Sequence, residues 1–173
     1  MESDEELMAA IARGEEQALA TLIERHAGGL FGFLVRVSRN RDDAEDLLQD
    51  TWMRVARGAG SFDPKRRVRP WLYGIAANLA RDAFRRRAVR VRAARAEHAE
   101  EGSTRTPFRP LDGIDMRDRL LRLPDRLREV LVLRFYQGFD EAEMADALGV
   151  PRGTVKSRLH TAIGALRQDW ETT

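Results

Sequence analysis

The sequence of 173 residues contains no cysteine, and this absence excludes several kinds of site. Without a thiol, the chain can form no disulfide framework, no thiolate zinc site and no cysteine nucleophile. Histidine is also scarce, because the chain has three in all, His26, His98 and His160, and they lie far apart. A zinc site with closely spaced histidines is therefore excluded, and we expect no metal or other cofactor.

Aromatic residues make up 7% of the chain, and 13 glycines and six prolines are modest numbers for this length. With 43% hydrophobic residues, such a composition favours a helical protein over a β-sandwich, a β-barrel or a disordered chain. The length allows one ordinary domain or two small ones, each with its own core.

Long apolar runs are missing too. The longest uncharged stretches, residues 27–35 and 70–80, fall well short of the ~20 residues that span a bilayer. Four of the first six residues are acidic, unlike those of a secretory or transit peptide. We therefore expect a cytoplasmic protein with no membrane insertion.

The formal net charge of +2 hides a strong segregation of charge along the chain. Residues 42–50 carry five acids and no base, residues 63–95 carry eleven bases against two acids, and residues 150–168 carry four bases and no acid. A surface that serves solubility alone intersperses the two signs. One acidic and two basic segments therefore indicate surfaces that bind partners of opposite charge.

Helical signals dominate, and no strand pattern or internal repeat is present. Capping residues and apolar spacing predict helices over the residue ranges 3–14, 15–37, 42–57, 70–87, 112–122, 124–136, 140–148 and 152–170. Residues 58–69 are predicted to be a loop, and residues 97–111 have the composition of a linker. We expect an all-α protein with two small helical domains, residues 1–96 and 112–173, joined by that flexible linker.

The sharpest local pattern lies near the C-terminus. Asp140 and Glu143 form a capping box, Gly149 suits a left-handed turn, and Pro151 can begin another helix after a very short connection. This spacing predicts a helix-turn-helix. The outward side chains of its second helix are small, polar or positive, as entry into a DNA major groove requires. The alternative interpretation is an ordinary helical hairpin with a solvated basic face.

The helix predicted after Pro70 has a second candidate surface. Asn78, Arg81 and Arg85 fall on one side of it, with Trp71 at the margin. An amide, two guanidinium groups and an aromatic ring suit a nucleic-acid base and its flanking phosphates. A solvated arginine-rich helix with Trp71 in the core explains the same pattern.

The helix over residues 42–57 has the third candidate surface. Asp43, Asp46 and Asp50 share the side opposite its apolar residues, together with Met53. Carboxylates a full turn apart with no histidine nearby make a poor metal chelate. The stripe suits a basic protein partner, and a solvated helix face remains the alternative.

Catalytic patterns are absent from the sequence. No serine lies in a nucleophile elbow, and no glycine-rich phosphate loop with a lysine is present. We therefore expect a protein that is not an enzyme.

Two groups of residues in the N-terminal half resemble region 2 of the extracytoplasmic-function (ECF) group of sigma-70 family sigma factors. Residues 43–52, with the sequence DAEDLLQDTW, are similar to the region 2 helix that docks on core RNA polymerase. Phe62-Asp63-Pro64, residues 71–78 with the sequence WLYGIAAN, and Arg85-Arg86-Arg87 are similar to the part of region 2 that recognises the −10 promoter element.

The C-terminal half completes the resemblance. Leu123-Pro124, Arg128-Glu129-Val130 and residues 149–159 are similar to the region 4 helix-turn-helix of the same group, in the expected order and spacing. Gly74 and Ala77 depart from the pattern, since the family often has larger or basic residues there. The resemblance covers nearly the whole chain apart from the linker.

The resemblance implies a role for each charged surface. Core polymerase, through its β′ and β subunits, would be bound by Asp43, Asp46, Leu47, Gln49, Asp50 and Met53. The −10 element would be bound by Ser61, Phe62, Lys65, Arg66, Arg67, Trp71, Asn78, Arg81, Arg85 and Arg86, with an extruded base held at Asn78. The −35 element would be bound by Arg152, Thr154, Lys156, Ser157, Arg158 and His160.

The function implied is therefore recognition of promoter DNA by a holoenzyme in which polymerase supplies the catalysis. Family members are commonly held inactive by an anti-sigma factor, which the resemblance adds as a partner. Two other classes stay open on the sequence: a stand-alone helix-turn-helix regulator that binds duplex DNA, and an adaptor protein without DNA contact.

Overall fold

The computed structural model describes residues 2–38, 40–97 and 116–171. The described residues form eight α-helices and no strand, which confirms the all-α expectation. The helices are α1 (Asp4–Ala12), α2 (Glu16–Val37), α3 (Arg41–Gly58), α4 (Val68–Glu97), α5 (Met116–Arg122), α6 (Asp125–Leu131), α7 (Glu141–Leu148) and α8 (Arg152–Glu171). A 3₁₀ turn follows α3 at Ala59–Ser61, and a π-helical turn follows α6 at Val132–Tyr136.

The first three helices begin within one residue of the positions that their sequences predict. Ser3 caps α1 in a capping box with Glu6, and this bonding lowers the pKa of the Glu6 carboxyl. α2 ends at Val37, as expected. Asn40 caps α3, so that helix starts one residue before the predicted Asp42. Each cap occupies a backbone N–H that the first helical turn leaves without a partner.

The core of the N-terminal half forms around α2, which packs against α1, α3 and α4. Leu22, Leu30, Phe33 and Leu34 of α2 are completely buried, and each such side chain contributes about 1.5–3 kcal/mol relative to its exposed state. α2 is also the one described helix long and apolar enough to cross a membrane. Its contacts with three neighbouring helices are those of a core helix.

The helix α4 is twelve residues longer than its sequence pattern predicts, since it begins at Val68 instead of Pro70 and continues past Arg87 to Glu97. Residues 88–97 contain alanine, arginine, valine and glutamate, with no glycine or proline to end the helix. The predicted linker, residues 97–111, lies outside the described residues except for Glu97. The predicted start of the next helix, residues 112–115, also lies outside them.

The C-terminal half contains the predicted helix-turn-helix, formed by α7 and α8. Asp140 and Glu143 make the capping box of α7, and Gly149 adopts the left-handed conformation with φ of 64°. The expectation of one helix over residues 124–136 is wrong in part, because α6 gives way at Val132 to the wider π-helical turn. That turn precedes Gly138, whose φ is 67°, and it carries the chain back so that Phe139 is buried.

The two halves pack against each other, an arrangement that the sequence did not predict. α7 lies along α4, while α2 contacts α5 and the π-helical turn. Tyr73 of α4 joins the two sets of buried side chains, because its ring packs on Phe33 at 5.6 Å and on Phe139 at 4.9 Å between centroids. The basic surface of α4 is therefore positioned next to the helix-turn-helix.

Candidate functional site

The acidic face of α3, formed by Asp43, Asp46, Gln49 and Asp50, is oriented by the start of its own helix. The side-chain oxygen of Asn40 accepts a hydrogen bond from Asp43 N at 2.7 Å. The Asn40 amide donates in turn to the Asp43 carboxylate at 2.9 Å. This cap holds the first turn, so the three carboxylates follow one another along one side of the helix.

The carboxylates of the acidic face differ in whether they form ion pairs within the protein. Asp43 lies 3.3 Å from Arg87 of α4 in an ion pair. Asp46 and Asp50 are exposed, and neither forms an ion pair within the part of the chain that the structure describes. Met53 beside them is 46% exposed, whereas Leu47 is only 5% exposed. Leu47 therefore contributes the apolar floor beneath the acids.

A groove separates the acidic face from α4, and the two walls carry opposite charge. Asp43, Asp46 and Asp50 line one wall, and Arg86, Arg87 and Arg90 line the other. Arg86 was predicted for the −10 surface, and the structure places it in this groove. The arginine-rich half of α4 thus faces the acidic face as well as solvent.

The predicted −10 surface begins in the loop between the 3₁₀ turn and α4. The rings of Phe62 and Trp71 pack edge to face, with centroids 4.9 Å apart, so Trp71 is half-buried rather than free. The Ser61 hydroxyl donates to the carbonyl of Gly58 at 3.0 Å. Lys65 is exposed, and its backbone N–H is held by Asp63 at 2.9 Å.

Further along α4, the structure brings together two of the side chains singled out by the helical spacing. Asn78 is exposed, and its side-chain oxygen accepts a hydrogen bond from Arg81 Nη2 at 2.6 Å. Arg85 is exposed and pairs with Asp82 one turn before it. Asn78 and Arg81 therefore form a small amide–guanidinium unit, beside which Arg85 lies on the same helix.

Three arginines of the −10 surface contact acids of the C-terminal half. Arg66 lies 2.8 Å from Asp146, Arg67 lies 3.2 Å from Glu143, and Arg81 lies 3.3 Å from Glu129. These pairs could not be predicted from the sequence, because they join residues that lie tens of positions apart. The acid-rich composition of α7, with Glu141, Glu143 and Asp146, was the available signal.

Glu129 on α6 is the most buried acid among these pairs, at 2% exposure. Burial raises the pKa of its carboxyl to about 7, and Arg81, Arg158 and Arg128 lower it while Asp125 raises it further. One of its oxygens has no hydrogen-bond partner. Glu129 therefore contacts an arginine of the −10 surface and interacts electrostatically with Arg158 of the predicted −35 surface.

The predicted −35 surface occupies the first half of α8. Its members are Arg152, Thr154, Lys156, Ser157, Arg158 and His160, of which Thr154 and Arg158 are half-buried and the others exposed. Lys156 lies 3.6 Å from Glu141, and the Ser157 hydroxyl donates to the Thr154 carbonyl at 3.0 Å. Thr154, Ser157 and Arg158 line a shallow hollow together with Arg126 of α6. Arg126 was not predicted from the sequence.

An apolar groove that the sequence analysis also missed crosses the C-terminal half between α5, the π-helical turn and α8. Its exposed aromatic side chains are Phe135 at 64%, Tyr136 at 43% and Trp170 at 62%. Arg36 of α2 lies over the Tyr136 ring at 4.3 Å, and Arg119 lies over the Trp170 ring at 4.5 Å. The guanidinium groups thus cover part of the exposed aromatic surface.

Comparison with protein families gives matches that cover both halves. The model of sigma-70 region 2 matches residues 22–90, and the model of sigma-70 region 4 matches residues 114–166. A relative in Mycobacterium tuberculosis strain H37Rv, the ECF RNA polymerase sigma factor SigM, is 37% identical over 156 residues. That alignment covers 90% of this chain and 79% of SigM.

Comparison with solved structures also gives matches that cover most of the chain. CnrH, in complex with the cytosolic domain of CnrY, is similar with a TM-score of 0.75 and 28% identity, over 99% of each chain. The sigma factor RpoE from Bartonella quintana, in complex with the anti-sigma factor NepR, is similar with a TM-score of 0.71 and 27% identity. That match covers 86% of this chain and 94% of RpoE.

The three charged surfaces thus lie within the two matched regions: α3 and the first part of α4 in region 2, and α8 in region 4. The chain belongs to the sigma-70 family of RNA polymerase sigma factors, within its extracytoplasmic-function group. The stand-alone regulator is therefore not favoured.

Proposed function

We propose that the work of this sigma factor is divided among three surfaces, with residues 1–96 as region 2 and residues 112–173 as region 4. The acidic face of α3 docks on core RNA polymerase, its β′ subunit supplying the basic partner and Met53 an apolar contact. The support for this assignment is that Asp46 and Asp50 are exposed acids, unpaired within the described chain, in the segment matched to region 2.

The −10 element is bound by the loop before α4 and by the first half of that helix. Asn78 holds an extruded base of the non-template strand, Trp71 and Phe62 form the wall beside it, and the arginines take the phosphates. Extruding a base costs a few kcal/mol, which the pocket and the phosphate contacts offset. The amide–guanidinium contact of Asn78 with Arg81 supports this role, because it presents both groups together.

The −35 element is read by the first half of α8, which enters the major groove with its N-terminal residues. Arg152, Lys156 and Arg158 supply positive charge, and Thr154, Ser157 and His160 supply shorter polar groups. Region 2 and region 4 on one chain bind the promoter together, because the linker makes the second contact intramolecular. Two weak DNA contacts then give useful combined affinity.

We assign the chain no catalysis of its own, since polymerase performs the chemistry, and we place it in the cytoplasm with the polymerase. An anti-sigma factor is a further proposed partner, by analogy with RpoE, whose structure was solved with the anti-sigma factor NepR.

Transcription with purified core polymerase tests the proposal. Promoters selected from a random library by the reconstituted holoenzyme should share two conserved blocks and give run-off transcripts that depend on this protein. A protein that gives no promoter-specific transcript, while it footprints a palindrome by itself, is a stand-alone regulator instead. Arg158→Ala and Lys156→Ala variants that leave promoter use intact would show that DNA is not contacted through α8.

A further inference from the structure

The helix α1 lies outside the parts of the chain that the family models match, because the region 2 match begins at residue 22. It is nonetheless firmly packed, since Leu7 and Met8 are each 1% exposed. The helix contacts α2, α4 and the 3₁₀ turn that follows α3. That turn and the start of α4 are the two ends of the loop assigned to the −10 strand. The helix α1 therefore supports both ends of the loop.

The start of α4 has no cap in its own sequence. Arg67, which precedes the helix, has no side-chain oxygen that could accept from a backbone N–H. The first turn of α4 holds no acidic residue, whereas the first turns of α1, α3 and α7 hold two or three each. Arg67 and Arg69 instead place positive charge at the positive end of the helix dipole, which is unfavourable. The acceptor for this helix end therefore has to come from water or from another part of the fold.

Glu5 of α1 provides that acceptor. The backbone N–H of Val68, the first residue of α4, donates to the Glu5 Oε1 atom at 3.3 Å. Val68 is 1% exposed, and a backbone N–H so far from water is costly to leave without a partner. The Glu5 carboxylate also brings a negative charge to the positive helix end, where that sign is favourable. Glu5 thus does for α4 what a local cap residue does for other helices.

A second acid of α1 holds the helix against α2. The Asp4 carboxylate lies 2.6 Å from His26 Nε2 and 3.0 Å from Arg25 Nη1. Arg25 also donates to the backbone carbonyl of Glu2 at 2.8 Å. Consecutive residues of α1 therefore contact different helices, since Asp4 bonds to α2 and Glu5 bonds to α4. Because α1 is anchored in this way, the Glu5 carboxylate has a fixed position from which it can cap α4.

The helix end that Glu5 caps carries side chains of the −10 surface. Arg66 and Arg67 come directly before Val68. Trp71 follows one turn later and packs on the ring of Phe62. If the first turn of α4 frayed, these residues would take many conformations, and DNA binding would then have to order them at a cost in entropy. A capped first turn therefore keeps the −10 surface preorganised.

We propose that Glu5 is a positioning residue for the −10 surface, because it caps α4 from α1 and so fixes the turn that presents the −10 side chains. The proposal rests on the assignment of the −10 surface made above. Glu5 does not touch DNA in this role, since its effect passes through the backbone of Val68. Removal of the acid should therefore weaken promoter opening, although loss of a negative charge near DNA would by itself strengthen binding.

Two variants separate the hydrogen bond from the charge. Glu5→Ala and Glu5→Gln both remove one negative charge, but glutamine keeps a side-chain oxygen that can accept from Val68. A difference between the two variants therefore reports the cap. Glu24→Ala is the matched control, since Glu24 is also an exposed acid on a helix and belongs to none of the three proposed binding surfaces. Glu5 is exposed as well, so all three variants should keep the circular dichroism spectrum of the wild type.

Amide hydrogen exchange of the free, ¹⁵N-labelled full chain, followed residue by residue by NMR, measures the cap. We expect the Val68 amide to exchange about fivefold faster in Glu5→Ala, the usual size of a lost helix cap. In Glu5→Gln it should exchange at nearly the wild-type rate. The amides of Leu22 and Leu34 in the core of α2 should be unchanged in both variants, because a lost cap acts locally.

Promoter opening by the reconstituted holoenzyme measures the positioning role. Fluorescence of a 2-aminopurine base in the −10 element should show opening reduced about threefold to fivefold by Glu5→Ala. Glu5→Gln and Glu24→Ala should open the promoter nearly as well as the wild type. Binding to core polymerase and to a duplex −35 element should be the same for all four proteins.

Four results would overturn the proposal. Equal Val68 exchange in the wild type and in Glu5→Ala would show that Glu5 does not cap α4. Faster exchange with unchanged promoter opening would show that the cap does not serve the −10 surface. An equal loss of opening in Glu5→Gln would assign the effect to charge, and a parallel loss of −35 binding would assign it to the fold as a whole.

Promoter opening by the wild-type holoenzyme separates these failures from failure of the proposed function. If the wild type opens its selected promoter, the role of Glu5 can be wrong while the surface assignments stand. If the wild type opens no promoter, the surface assignments themselves are wrong.

Discussion

The acidic face of α3 and the −10 surface of α4 lie on neighbouring helices that pack against each other, but they differ in what covers them. Asp46 and Asp50 are exposed and form no ion pair within the described residues. Arg66, Arg67 and Arg81 on the other surface each contact an acid of the C-terminal half. In the free protein the proposed polymerase surface is therefore open, whereas acids of the C-terminal half partly occupy the proposed DNA surface. This difference suits a protein that binds polymerase before it binds DNA.

The largest effect is expected for substitutions in the acidic face of α3, measured as a loss of affinity for core polymerase. Asp46→Arg combined with Asp50→Arg places two like charges against a basic partner, and such juxtaposition costs several kcal/mol. We expect the affinity for core polymerase to fall at least about 100-fold, with an unchanged far-ultraviolet circular dichroism spectrum. Titration of labelled protein with core polymerase measures it.

Glu24→Arg is the control for that experiment. Glu24 is an exposed acid of α2 and belongs to none of the three proposed binding surfaces. It should change polymerase affinity little. Intact binding by the double variant, or an equal loss in the control, removes the docking role from the acidic face.

The next largest effect is expected for the buried acid Glu129. Its titration should make the free energy of unfolding depend on pH. Its pKa of about 7 in the folded protein lies above the 4.5 of a free glutamate, so between these values the folded state binds a proton that the unfolded state does not. The contribution of Glu129 to the free energy of unfolding therefore falls as pH rises from 4.5 to 7, and is constant above that range.

Glu129→Gln removes this titration and keeps the side-chain shape. Between pH 5 and pH 8, the wild type should lose up to about 3 kcal/mol of stability relative to the variant, measured by urea unfolding at each pH. Parallel pH profiles for the two proteins would show that Glu129 is not buried as the structure has it.

Asn78→Ala tests the base pocket inside the covered surface. Loss of the amide should reduce opening of the −10 element by holoenzyme about tenfold, followed through a 2-aminopurine base in that element, while binding to a duplex −35 element stays nearly unchanged. Gln17→Ala, another exposed amide on a helix, is the control. Equal losses in the two assays would contradict a base-holding role.

The smallest effect is expected on the −35 surface, where Lys156 is exposed and only loosely paired with Glu141. Lys156→Ala should weaken binding to all duplex sequences by a similar small factor and reduce the slope of log affinity against log salt by about one. Loss confined to one promoter sequence would instead indicate that Lys156 reads a base.

The helices and their charged faces were predictable because they depend on local signals. The capping pairs Ser3–Glu6 and Asp140–Glu143, and the left-handed Gly149, act over a few residues and appear in the structure as expected. The close approach of Gly74 to Ala147, whose carbonyl oxygen would lie 2.6 Å from a Cβ placed on Gly74, was not predictable, since it joins positions 73 residues apart and depends on the absence of a side chain. The sequence marked Gly74 as a departure from the family pattern, and the structure supplies the reason for a glycine there.

Hydrogen–deuterium exchange of the free protein and of its complex with core polymerase tests the central claim most directly. We predict that polymerase binding slows amide exchange in α3 around Asp46 and Asp50. The same binding should speed exchange in α7 and in the loop before α4, as the −10 surface is uncovered. Two unchanged results would contradict the account: exchange in α3 that polymerase does not slow, and exchange in α7 and the loop that polymerase does not speed. The first removes the docking surface, and the second removes its link to the partly occupied −10 surface.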